Sequence, residues 1–151
     1  MEKALWDHGI IVSATHDEES EAYFKYLEEI SSPVLSLIIV PTYRCNFRCP
    51  YCYQDHENAE IMSIELQDAI IRFVRKHISN YTAVEISWFG GEPLLCMDMI
   101  LRINVAIKQS CNDRFKSFRS SITTNGYCLT KSIFEELLNV GVREYYITVK
   151  K

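Results

Sequence analysis

The sequence predicts an α/β fold. About four parallel strands with three intervening helices are expected over residues 33–151, with a short N-terminal α/β appendage over residues 1–32. Three observations carry this. From Pro33 onward, short apolar and β-branched segments alternate with segments whose apolar residues recur every three or four positions. Pro41, Gly90-Gly91 and Asn125-Gly126 each close a strand-like segment. Strand–helix–strand alternation on this scale builds right-handed crossovers and a parallel sheet.

The elements follow in chain order. Gly9-Ile-Ile-Val12 predicts a short strand, and Glu18–Ile30 an acidic amphipathic helix with Tyr23, Tyr26, Leu27 and Ile30 inward. Val34–Val40 is nearly all apolar and predicts a strand covered on both faces. Ser63 caps a helix whose inward side is Leu66, Ala69, Ile70, Phe73, Val74 and His77. Val84–Phe89 is the second strand, with Trp88 and Phe89 expected in the core. A helix from Met97 to about Cys111 follows, with Met99, Ile103, Ala106 and Ile107 on one face. Arg119–Thr124 is the third strand. The third helix begins near Thr130–Ser132, where Ser132 and Glu135 have capping-box spacing, and it stops at Gly141. Val142–Val149 is the fourth strand.

Composition limits the function classes. A chain of 151 residues, 48% hydrophobic, can bury roughly 70% of its unfolded surface. Its net charge of −4 argues against a nucleic-acid footprint. The acidity is concentrated: residues 1–30 carry eight acids and two bases, a net −6, which leaves +2 for residues 31–151. The longest apolar run, Val34–Val40, contains Ser36 and is far short of a membrane span of ~20 residues. Met1-Glu2-Lys3-Ala4 leads into acidic residues with no apolar h-region, so the expected location is cytoplasmic, without membrane partners.

In that compartment six cysteines read first as ligands or packing groups. Cys45, Cys49 and Cys52 form C-x3-C-x2-C, while Cys96, Cys111 and Cys128 stand apart and are expected as packing thiols. At this cysteine frequency the triplet arises by chance about once in a hundred such chains. Three thiolates in one loop favour soft metals, mainly zinc or iron–sulfur. On a four-iron cube they leave one iron without a protein ligand, an open position for chemistry. For zinc, His56 completes C-x3-C-x2-C-x3-H, so a zinc-binding interaction module stays open as an alternative. His8, His16 and His77 have no partner pattern, and the sequence singles out no catalytic side chain.

Gly90-Gly91-Glu92-Pro93 stands at a strand's carboxyl end, where ligands bind in open parallel sheets. Two glycines there permit a turn and a close ligand approach, and the Glu92 carboxylate can take an ammonium group. Asn125-Gly126 holds the equivalent place after the third strand, and as a turn it needs no ligand.

The segment Tyr43-Arg-Cys45-Asn-Phe-Arg-Cys49-Pro-Tyr-Cys52-Tyr53 resembles the cluster loop of the radical S-adenosylmethionine (SAM) enzymes. The likeness is strongest to the peptide-modifying and sulfatase-maturing branch, and it runs from about Val34 to Val149. It implies a partial (β/α) radical SAM barrel with Cys45, Cys49 and Cys52 on a [4Fe–4S] cluster. SAM would chelate the fourth iron and be cleaved to a 5′-deoxyadenosyl radical. By the same resemblance, Tyr51 would lie against the adenine, Gly90, Gly91 and Glu92 would face the methionyl amine, and Asn125 would line the SAM and substrate cavity. Arg44 and Arg48 are placed to offset the negative charge of a thiolate-bound cluster, although loop arginines are usually just solvated. The implied partners are a peptide or protein substrate and a reducing electron donor.

The family's barrel has about six βα units, so residues 33–151 are expected to form an incomplete core domain. Lys150-Lys151 stand where relatives carry an acid and a glycine. The reading includes a truncated or split product, a non-catalytic remnant, or a chain completed by a partner, with turnover left open and aggregation or oligomerisation expected of the chain alone.

Overall fold

The computed structural model describes residue 13 and residues 17–31, 33–54 and 60–148. The chain divides into two compact units, Met1–Ser32 and Pro33–Lys151. In the first, helix α1 spans Glu18–Ile30. It opens on Asp17, whose Oδ1 accepts from Ser20 N at 3.0 Å, with Glu18, Glu19 and Glu21 complementing the helix dipole. Tyr23 and Tyr26, expected inward, are 58% and 56% exposed. The predicted strand at Gly9–Val12 lies outside the described residues.

The second unit is one four-stranded sheet in the order β1-β2-β3-β4, each neighbouring pair parallel. The strands are β1 (Val34–Ile39), β2 (Ala83–Trp88), β3 (Ser117–Thr124) and β4 (Val142–Ile147). Helices α2 (Ile64–His77), α3 (Met97–Asn112) and α4 (Lys131–Asn139) connect them in turn. The expected four parallel strands and three intervening helices are all present. Val149, placed in the last strand by the sequence, lies outside the described residues.

The core sits on one face of the sheet. Val84, Ile86 and Trp88 of β2, Ile122 of β3 and Val142 of β4 are fully or almost fully buried against Ile100, Ile103 and Ile107 of α3. The period of two along each strand produces this: alternate residues reach the helices, and Glu85, Ser87, Arg119 and Ser121 fall on the other face. There Ser121 Oγ donates to Ser87 Oγ at 3.0 Å. Inside the core, Trp88 Nε1 donates to Asn104 Oδ1 at 3.1 Å, so the large indole is buried without losing its hydrogen bond.

Two packing expectations need correction. β1 is covered on one face only: Leu35 and Ile39 are buried, while Ile38 is 77% exposed. The helices pack on one face of the sheet, so the other face of this strand stays open, as it does for β2 and β3. In α2 the buried positions are Gln67, Ile71 and Val74, whereas Leu66 and Phe73 are about half exposed. The helix carries two apolar stripes. Of the side identified from sequence, Val74 is fully buried in the core, while Leu66, Ala69, Ile70 and Phe73 border an apolar groove with Ile38 and Val40. The core stripe was hidden by Gln67, whose Nε2 donates to Met62 O at 3.3 Å and whose Oε1 accepts from Arg102 at 3.0 Å.

Candidate functional site

The candidate cluster and SAM residues within the described residues gather at the carboxyl ends of the strands. The cysteine loop leaves β1 and is pinned at its base. Thr42 and Ile61 form an antiparallel bridge, Thr42 Oγ1 donates to Glu60 O at 2.9 Å, and Met62 N donates to Pro41 O at 2.9 Å. Within the loop, Cys52 N donates to Cys49 O at 3.0 Å, and Phe47 N to the Cys45 sulfur at 3.3 Å. Arg48 folds back on the loop, its Nη1 donating to Cys45 O at 2.7 Å and Phe47 O at 3.0 Å. That guanidinium holds the backbone turn between the first two cysteines.

The Gly90-Gly91-Glu92 segment continues the parallel ladder beyond the strands. Phe89 N donates to Ile39 O at 3.0 Å, Gly91 N to Thr42 O at 3.1 Å and Glu92 N to Arg44 O at 2.8 Å. Here the glycines are required by the chain itself. Gly90 has φ +127, and a Cβ at Gly91 would stand 2.1 Å from Arg44 O and 2.5 Å from Tyr43 O. The space that a double glycine suggests for a ligand is filled by the stem of the cysteine loop.

Glu92 is fully buried and does not line the cavity between these segments. Its Oε1 accepts from Leu94 N at 3.0 Å and Thr124 Oγ1 at 2.7 Å, and its Oε2 from Asn125 N at 2.8 Å. The carboxylate thus cross-links the ends of β2 and β3, and three donors stabilise it in a dry setting. Asn125 reaches back to the cysteine loop. Its Nδ2 donates to Asn46 Oδ1 at 2.8 Å and lies 3.8 Å from the Cys45 sulfur, while its Oδ1 accepts from Tyr127 N at 2.9 Å.

A cavity of about 200 Å³ opens between these segments. Cys45, Cys49, Tyr51, Cys52, Gly90, Gly91 and Asn125 all line it, so seven of the eight expected site residues share one space and Glu92 alone stands behind the wall. Tyr51 is exposed. The neighbouring Cys49 sulfur, which also engages its hydroxyl, holds that phenol above its ordinary range, with smaller contributions from desolvation and Cys52. Gln54, which no sequence pattern marks, also lines the cavity, and its buried Oε1 has no hydrogen-bond partner among the described residues.

The other thiols differ. Cys96 and Cys111 are buried in the core. Burial pushes the Cys111 thiol up to about 11 against the opposing pull of Arg114, so it stays protonated and is a poor ligand. Cys128 is half-buried beside the cysteine loop, with Asn46 Nδ2 at 3.8 Å, a proximity that a separation of 82 residues concealed. Burial, then the Glu92 charge, raises its thiol too.

Among the described residues, no three His, Cys, Asp or Glu side chains are gathered tightly enough to grip a bare metal ion. The donor set nonetheless suits a larger soft group: three thiols line one cavity, two of them half-buried and one exposed. The orphaned Gln54 oxygen calls for a donor from whatever fills that cavity. His56, the fourth zinc ligand suggested by spacing, lies outside the described residues.

A parallel α/β domain with a three-thiol loop after its first strand and a cavity at the strand ends belongs with cofactor-binding (β/α) domains. Residues 39–151 match the family model of the Radical SAM superfamily, and the chain belongs to that superfamily. It is 32% identical to a GTP 3′,8-cyclase of Campylobacter jejuni over 130 residues, covering 82% of this chain and 37% of that protein. It is 28% identical to the PqqA peptide cyclase of Gluconobacter oxydans over 113 residues, covering 75% and 29%. Among solved structures it resembles anSMEcpe with bound AdoMet and a Cp18Cys peptide, with TM-score 0.60 and 25% identity over 71% of this chain and 29% of that one. The chain spans about a third of the length of the curated relatives it matches.

Proposed function

We propose that residues 33–151 supply the cluster-binding and SAM-binding part of a radical SAM enzyme that modifies a peptide or protein. The observation that carries this reading is the single cavity lined by Cys45, Cys49 and Cys52 together with Tyr51, Gly90, Gly91 and Asn125. In it the three cysteines hold a [4Fe–4S] cluster. When bound, that cluster supplies the electron for reductive cleavage of SAM to methionine and a 5′-deoxyadenosyl radical.

The chain's own residues have definite parts in this scheme. The extended ladder from Phe89 to Glu92 fixes the cysteine loop against the second strand, and Arg48 holds the loop's backbone turn. Tyr51 supplies a ring for the adenine. Gln54 Oε1 is an acceptor for a donor on the bound cofactor. Glu92 acts from behind the wall, through the residues it holds in place. Its buried, hydrogen-bonded carboxylate makes it a support for the methionyl site, and the backbone of Gly90 and Gly91 provides the exposed surface there.

The peptide or protein substrate is supported by the peptide in the anSMEcpe structure and by the name of the PqqA peptide cyclase. A cytoplasmic setting suits oxygen-sensitive thiolates. Among the described residues, no helix is long and apolar enough to cross a membrane. A second reading, a cluster-bearing part completed by further chain in cis or in trans, is favoured by one feature. The cavity, about 200 Å³, is smaller than the ~300–1,000 Å³ of small-molecule sites, so additional wall would be needed around SAM and substrate.

Anaerobic reconstitution followed by iron and sulfide analysis and electron paramagnetic resonance (EPR) tests the assignment. About four irons and four sulfides per chain are expected, with a reduced signal whose g-values move on adding SAM. Cys45→Ala, Cys49→Ala and Cys52→Ala are each expected to abolish the intact cluster. Zinc in place of iron, or undiminished iron and sulfide in all three variants, would sink the reading.

A further inference from the structure

We propose that Asn125 is a positioning residue for Cys45, held by Glu92, that gives an N–H hydrogen bond to the Cys45 sulfur and thereby raises the reduction potential of the cluster. The inference rests on the reading of Cys45 as a cluster ligand, and it assigns Asn125 a task beyond lining the cavity.

The orientation of the Asn125 carboxamide follows from its partners. Tyr127 N can only donate, and it lies 2.9 Å from one carboxamide atom, which must therefore be the oxygen. The NH2 group then faces the cysteine loop, where it donates to Asn46 Oδ1 at 2.8 Å and points one hydrogen toward the Cys45 sulfur at 3.8 Å. An NH2 group has two hydrogens, so it can serve both acceptors at once. Phe47 N is a second donor to the same sulfur, at 3.3 Å.

The base of this arm is rigid. Asn125 N donates to Glu92 Oε2 at 2.8 Å, and the other oxygen of that buried carboxylate is held by Leu94 N and Thr124 Oγ1 at 3.0 and 2.7 Å. Glu92 is itself tied to the loop stem through Glu92 N and Arg44 O at 2.8 Å. A closed circuit therefore runs from the loop stem through Glu92 and Asn125 back to the first cysteine, joining residues 80 apart in sequence. Anchoring of this kind holds a ligand and its hydrogen-bond donors in one geometry.

The electrostatic consequence has a definite sign. Reduction adds one electron to a cluster whose charge is spread over its thiolates, and an N–H dipole directed at a ligating sulfur stabilises the more negative state. Taking the donor away lowers the potential. A net hydrogen bond is worth on the order of tenfold in an equilibrium constant, and tenfold corresponds to about 59 mV for a one-electron couple.

The test is an EPR-monitored redox titration of the reconstituted chain, without SAM or substrate, for the natural chain, Asn125→Ala and Asn125→Asp. Both substitutions leave the backbone N–H on Glu92. Alanine removes the donor, and aspartate keeps the shape while setting acceptor oxygens toward the sulfur. Equal iron and sulfide loading is expected, with the midpoint falling in the order Asn, Ala, Asp. Thermal unfolding followed by circular dichroism establishes that both variants fold. Identical midpoints at equal loading would overturn the proposal, as would folded variants that take up no cluster, since Asn125 would then serve only the loop's shape. A natural chain that binds no iron fails at an earlier point, because that result removes the cluster reading itself.

Discussion

At Gly91 an added methyl group would meet the carbonyl oxygens of Arg44 and Tyr43, and neither can retreat easily. Arg44 O already accepts from Glu92 N at 2.8 Å, and Gly91 N is bonded to Thr42 O at 3.1 Å. Gly91→Ala is therefore expected to destabilise the chain by about 1–3 kcal/mol or more, the cost of overpacking a site without slack. It should also lower cluster loading, because relief comes only by moving the loop that carries the cysteines. Urea unfolding and iron analysis on the same preparation measure both effects, and a variant as stable and as well loaded as the natural chain would refute the packing argument. The glycines were legible in the sequence, but their reason was not. Nothing local to Gly90-Gly91 says that the approaching backbone is the chain's own, since the contact spans the whole connection between β1 and β2. Glu92 shows the same limit. Its type and place suggested an ammonium partner, while two of the three donors to its buried carboxylate come from Thr124 and Asn125 at the end of β3, 32 and 33 positions away.

At the level of elements, helix boundaries were read well because caps are local chemistry. Ser63 accepts from Leu66 N at 3.3 Å and opens α2, as its position before an apolar periodic run suggests. For α4 the spacing of Ser132 and Glu135 suggested a capping box, yet Thr130 is the N-cap, accepting from Ile133 N at 3.3 Å. Ser132 is the second residue of the helix, with its hydroxyl toward Glu136 at 3.4 Å. Thr130→Ala is expected to cost about 1 kcal/mol and Ser132→Ala only a few tenths, measured by chemical denaturation. Equal losses would restore Ser132 as the cap. The inward face of α2 was harder to read. Its core stripe includes Gln67, whose burial depends on partners from Met62 and Arg102, so hydrophobicity alone found Val74 of that stripe and otherwise selected residues bordering the groove.

For the molecule as a whole, the sheet concentrates protection in its middle. β2 and β3 are paired on both sides, whereas β1 and β4 each have one paired side among the described residues. In a parallel sheet the unpaired side of an edge strand leaves alternate N–H groups free to exchange. The pairing of β3 with β4 is further weakened by a register shift at Ser120/Ser121. The core reinforces this gradient: Val84, Ile86, Trp88 and Ile122 of the central strands are essentially inaccessible, while Ile38 of β1 and Tyr146 and Ile147 of β4 are half or more exposed. Amide hydrogen exchange on the purified chain should therefore show slowest exchange through β2 and β3. In β1 and β4, slow and fast amides should alternate along the strand. The measurement is most informative at β4. If residues 142–147 are protected at every position, another strand is paired to that edge, either from further chain or from a second copy. Repeating the exchange over a range of protein concentrations separates these, because protection from a second copy fades on dilution and protection from the same chain does not.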